Sequence, residues 1–72
     1  SIIMGIVNKL REIRMREFLM DPGEFAVKLG VNPKTYSNWE KNRSKPPLEE
    51  ALRIAKELNR KVEDIWTLEN ME

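Results

Sequence analysis

The sequence predicts a compact all-α domain of five helices, and three observations carry that prediction. Apolar residues recur at helical spacing, as in Ile6, Leu10 and Ile13 or in Leu48, Ala51, Leu52, Ala55 and Leu58. Two helix starts built on proline, Asp21-Pro22-Gly23-Glu24 and Asn32-Pro33, bracket a helix stop at Leu29-Gly30. No segment reads convincingly as a strand. Seventy-two residues make one domain, 1–72, near the lower size limit for a core without staples.

The first helix is predicted from about Gly5 to Phe18, with Arg14 one turn after Leu10, on or beside the apolar face. A guanidinium placed there needs a partner. Asp21 then caps a short second helix, Pro22 suits its first position, and Glu24 completes a capping box. Gly30 closes it by taking a left-handed conformation. Asn32-Pro33 starts a third helix that runs to about Lys41 and buries Tyr36 and Trp39, with Asn42 as a left-handed terminator. Pro46-Pro47 leads into the fourth helix, where Glu49 and Glu50 favour the positive end. A short fifth helix, Val62 to about Leu68, carries Ile65 and Trp66.

Composition removes several classes of chemistry. With no cysteine and no histidine, the chain offers no disulfide, no thiolate or imidazole metal ligand and no imidazole base. No catalytic constellation stands out, and no cofactor or metal is expected. No apolar run is long enough to span a membrane, and Ser1-Ile2-Ile3-Met4 lacks the basic flank of a secretory signal, so a cytoplasmic location is expected. The net charge of +1 hides an asymmetry. Residues 28 to 45 hold Lys28, Lys34, Lys41, Arg43 and Lys45 against the single acid Glu40, whereas residues 48 to 72 are net acidic. A face for a polyanion would explain this, as would ordinary surface variation.

The segment Phe25 to Glu40, two short amphipathic helices joined at Gly30, is a helix-turn-helix pattern within about 22–41. Such a pair suits a small body that must project its second helix into a groove. The wider pattern is Leu10-x-x-Ile13-Arg14, Ala26-x-x-Leu29-Gly30-Val31, Tyr36-Ser37-x-Trp39-Glu40-x-Asn42-x-x-x-Pro46 and Leu48-x-x-Ala51-Leu52-x-Ile54-Ala55-x-x-Leu58. It resembles the Cro/C1-type (XRE-like) helix-turn-helix domain of phage and bacterial regulators over about residues 6 to 68. The resemblance implies a lambda-repressor-like fold of five helices. It also implies a homodimer on an inverted-repeat operator, with the third helix entering the major groove N-terminus first.

Under that resemblance Asn32, Pro33, Lys34, Ser37 and Asn38 lie nearest the DNA. Asn38 can pair bidentately with adenine, Lys34 can donate to guanine O6 or N7, Ser37 reaches less far, and Pro33 offers apolar contact alone. Phosphate contacts fall to Arg43, Ser44 and Lys45 with the amides of their loop, and to Asn32, Thr35 and Lys41. The start of the second helix is expected to face a further phosphate. Two features depart from the family: Pro22 stands where a polar residue usually grips the backbone, and the loop before Asp21 is one residue longer. Arg14 and Glu40 look like the family's internal ion pair. Ile65, Trp66 and Leu68 form the candidate dimer interface, Trp66 being equally suited to closing the core.

A transcriptional repressor is thus the leading expectation. Two others stay open: an antitoxin of the same fold that binds an operator and a toxin, and a protein-interaction domain that has lost DNA binding. Pro22 and Asp21 support the latter, whereas Lys34, Asn38, Arg43 and Lys45 oppose it. A protein partner such as a toxin or an anti-repressor therefore stands beside duplex DNA.

Overall fold

A computed structural model describes residues 2–71, and the side chains of residues 5–69. The chain begins with strand β1, Ile2–Asn8, and continues as helix α1, Leu10–Ile13, which widens into a π-helical turn at Arg14–Phe18. Helices α2 (Pro22–Leu29), α3 (Pro33–Glu40) and α4 (Leu48–Glu57) follow. A 3₁₀ turn at Val62–Asp64 leads to strand β2, Trp66–Met71.

The two strands correct the all-α, five-helix prediction. Residues 5 to 8 extend a strand rather than opening the first helix, and the fifth helix shrinks to the single 3₁₀ turn before β2. The strands pair antiparallel, with Ile6 opposite Leu68 and Asn8 opposite Trp66, and the register shifts between Ile3 and Gly5. Gly5 has φ 126°, a backbone that no helix permits and that glycine takes without strain. The residue types agree with this result, since Ile2, Ile3, Ile6 and Val7 are β-branched and suit a pleated surface. Ile6 happens to continue the helical spacing of Leu10 and Ile13, which disguises the strand. The true start signal is Asn8, whose Oδ1 accepts from the Leu10 amide at 3.1 Å.

Before Asp21 the chain passes through the π turn. A π turn holds one residue more than an α turn, so Arg14 still faces inward while Leu19, at φ 53°, reverses the chain. The capping box at α2 is complete. Asp21 Oδ1 accepts from the Glu24 amide at 2.8 Å, and Glu24 Oε1 accepts from the Asp21 amide at 3.1 Å. Three helices end alike, in left-handed Gly30, Asn42 and Asn59. In each case the next residue's amide reaches back to the helix: Val31 to Ala26, Arg43 to Asn38 and Arg60 to Ala55.

The core collects Leu10, Ile13, Phe25, Ala26, Leu29, Tyr36, Trp39, Ile54, Ala55, Leu58 and Ile65. Phe25 sits at its centre, tilted on Phe18 with centroids 5.3 Å apart and edge-on to Tyr36 at 5.6 Å. On α4 the buried stripe is Ala51, Ile54 and Ala55, while Leu48 and Leu52, read as part of the apolar face, are 72% and 52% exposed. Arg53 ties this helix to the α2–α3 turn by donating to the Leu29 carbonyl at 2.7 Å. Among the described residues no helix is long and apolar enough to cross a membrane.

Candidate nucleic-acid interface

Helix α3 is amphipathic by position: Tyr36 and Trp39 are buried, while Lys34, Ser37, Asn38 and Lys41 recur at three- and four-residue spacing on the other side. Pro33, Lys34, Thr35 and Lys41 are exposed, and Ser37 and Asn38 are half-buried. The carboxamide of Asn38 has no hydrogen-bond partner among the described residues, so both of its polar atoms remain available. Asn32 is partly committed. Its Oδ1 accepts from the amides of Lys34 at 2.9 Å and Thr35 at 3.4 Å, which leaves only Nδ2 to donate outward.

The loop after α3 brings Lys41, Arg43, Ser44 and Lys45 to the surface beside this face, all of them exposed. Their side chains are free to meet a polyanion, but the amides of Arg43 and Ser44 are not. Arg43 and Ser44 donate theirs to the Asn38 carbonyl, at 2.8 and 3.4 Å, which narrows the expected backbone phosphate contacts to the Lys45 amide. At the start of α2 the Glu24 amide is occupied by Asp21 and Pro22 has no amide proton. Two carboxylates, Asp21 and Glu24, thus stand where a phosphate contact was expected.

What holds α3 in place is a buried polar network at its far end. Arg14 Nε and Nη2 donate to the two carboxylate oxygens of Glu40 at 2.9 and 3.3 Å, and Nη1 donates to the Met20 carbonyl at 3.0 Å. Tyr36 donates its hydroxyl to Glu40 at 2.6 Å. Burial acts to raise the Glu40 carboxyl, but the bonds from Arg14 and Tyr36 and the Arg14 charge outweigh it and hold the group below the usual glutamate range. Burial, then the bond to and charge of Glu40, push the Tyr36 hydroxyl well above its ordinary value, and the bond to Glu40 raises Arg14. The guanidinium that demanded a partner has three acceptor atoms.

Two asparagines fasten the same end of α3 to β1. Asn8 Nδ2 donates to the Trp39 carbonyl at 2.9 Å, and Asn42 Nδ2 donates to the Ile6 carbonyl at 2.7 Å. Sequence reasoning read Asn42 only as a terminator and gave Asn8 no part. Their cross-chain bonds depend on a strand that local periodicity conceals.

The candidate dimer residues separate. Ile65 is fully enclosed in the core, so it cannot also serve a surface in this conformation. Trp66 is half-buried against that core and Leu68 is 61% exposed. With side chains alternating along a strand, Trp66, Leu68 and Ile6 share one side of the sheet. Ile6 and Trp66 line a cleft of about 280 Å³ with Pro46, Leu48, Ala51 and Val62, bordered by Lys45 and Glu63.

A short helix held rigidly at one end and presenting unpaired polar side chains beside basic residues defines a domain built to enter the groove of a polyanion. The comparison with known families agrees: the chain belongs to the helix-turn-helix family of Cro/C1 type, which it matches over residues 10–65. This is a family of DNA-binding regulators. No curated protein matches the chain. Both strands lie outside the matched segment.

Proposed function

We propose that the chain is a sequence-specific regulator of transcription that binds duplex DNA as a homodimer, most simply a repressor covering an inverted repeat. The observation that carries this reading is the free polar face of α3, continuous with an exposed run of cations. In the major groove Asn38 reads adenine through N7 and N6, Lys34 donates to guanine, Ser37 makes a shorter contact and Pro33 packs on a thymine methyl. Arg43, Ser44 and Lys45, with Lys41, Thr35 and the Asn32 amide, hold phosphates and set the register. The self-capped start of α2 moves the electrostatic grip onto the loop after α3.

A second copy suits the cleft between α4 and β2, where exposed Leu48 and Leu68 flank Trp66 and Val62. Lys45 and Glu63 also line this cleft and offer unlike charges to a second copy. Half-sites about one helical turn apart follow from such symmetry.

Selection of bound sequences from a random duplex pool at near-physiological salt tests the reading. Enrichment of an inverted repeat is expected, and a folded protein that enriches nothing overturns it. On the selected site Asn38→Ala costs about 1–3 kcal/mol of discrimination at one base pair per half-site. Lys45→Ala instead weakens binding to all sequences and lowers the salt slope by about one. Equal losses on every sequence for both variants would reject these assignments.

A further inference from the structure

We infer that Asn42, acting together with Asn8, is a positioning residue for DNA binding. It touches no nucleic acid and works by fixing the basic loop to β1. The inference rests on the DNA-binding reading above and adds a part for β1, which lies outside the matched segment.

The geometry is that of a crossed pair of clamps. Asn42 leaves α3 in the left-handed conformation, φ 62°, and sends its carboxamide to a backbone carbonyl 36 residues earlier. Asn8, from that same strand, sends its own carboxamide to the Trp39 carbonyl in the last turn of α3. Between the two bonds the loop backbone is pinned a third time, by the Arg43 amide on the Asn38 carbonyl. Arg43, Ser44 and Lys45 follow directly after the clamped residue, so the place from which their side chains depart is set by β1. Asn38, the leading base reader, and Asn42 are joined through the same closed turn.

A loop prepared in this way loses little freedom when it meets a phosphate backbone. An unclamped loop must be ordered by the DNA, and affinity falls although no contact residue has changed. Glycine takes the left-handed region as readily as asparagine, so Asn42→Gly removes the clamp and leaves the turn unstrained. Asn8→Ser removes the second clamp from the other side without adding charge: its hydroxyl serves as a cap for the Leu10 amide but is too short to reach the Trp39 carbonyl.

The test is binding of each variant to a mixed-sequence duplex and to the selected site across a salt series, with circular dichroism as the check of folding. Each variant is expected to bind roughly three- to tenfold more weakly at every salt concentration, with an unchanged salt slope because the same phosphates are met. Base preference stays unchanged. The decisive arm places Asn42→Gly in an Arg43→Ala/Lys45→Ala background, where it should cost nothing further, because the side chains it positions are gone. A residue that merely stabilises the fold would shift the melting curve and leave binding by the folded protein unchanged. Unchanged binding by the folded variants, or a loss that adds fully in the double-alanine background, overturns the inference. Should Asn42→Gly not fold, the uncharged Asn8→Ser decides by itself in the same two backgrounds. Failure of the unsubstituted protein to bind any duplex is a different result, and it rejects the DNA-binding reading itself.

Discussion

The two ends of α3 are built on opposite principles. The N-terminal end carries Pro33, Lys34 and Thr35 in solvent, and its hydrogen bonds are supplied from within by Asn32. The C-terminal end is gripped by Arg14 from the π turn after α1, by Asn8 from β1 and by its own Tyr36, all converging on Trp39 and Glu40. The difference shows how eight residues can be both rigid and available. Apart from the Asn32 cap, the polar groups that secure the helix lie at the end turned to the body, so Pro33, Lys34 and Thr35 at the other end are left in solvent. A longer helix could rely on its own length for stiffness, but one this short is marginal alone and takes its order from packing.

The contrast can be broken most severely from the anchored end. Glu40→Ala strands the Arg14 guanidinium, 9% exposed, and leaves the Tyr36 hydroxyl without its acceptor. A loss of about 3–5 kcal/mol in urea unfolding is expected, a large part of the stability of so small a domain. A loss under 1 kcal/mol would show that the network is decorative.

Acid probes the same anchor without a substitution. Because the folded-state pKa of Glu40 lies below the ordinary 4.5, its contribution is complete above that value and disappears as pH falls through the lower one. Stability should therefore decline on acidification below about pH 4.5, and more shallowly in Glu40→Gln, which cannot titrate. Parallel declines in the two proteins would place the acid sensitivity elsewhere.

The smallest effect belongs to the free end. Asn32→Ala removes one cap and should cost about 1 kcal/mol, read as a modest drop in the unfolding midpoint. A cost as large as that of Glu40→Ala would erase the distinction between the two ends.

The anchored and free ends were not equally legible. Asn32-Pro33, the Asp21–Glu24 box and Gly30 announce their turns through local chemistry, and the structure places each element start and stop there. Arg14 announced a need for a partner because a charge beside an apolar face must be paired. The strands gave no such signal. Their pairing joins Asn8 to Trp66 and Ile6 to Leu68, across nearly the whole chain, and nothing within either segment points to the other. Ile6 fell into helical phase with Leu10 and Ile13, and Trp66 with Val62, so two short strands read as helix ends. Once β1 was hidden, the roles of Asn8 and Asn42 were hidden with it. On α4, Leu48 and Leu52 follow helical spacing yet stay outside the core, since periodicity names a face without saying how wide a stripe the neighbours cover.

The pairing of β1 with β2 also decides how the domain answers to force. Ile2 lies opposite Met71, so residues near both ends of the chain leave the body side by side. Tension applied through them peels the ladder open one rung at a time, as a zip opens, instead of shearing all its hydrogen bonds together. The load reaches Asn8 and the clamp on α3 only after the outer rungs have parted. A pull on the termini would thus loosen the basic loop before it disturbed the aromatic centre around Phe25.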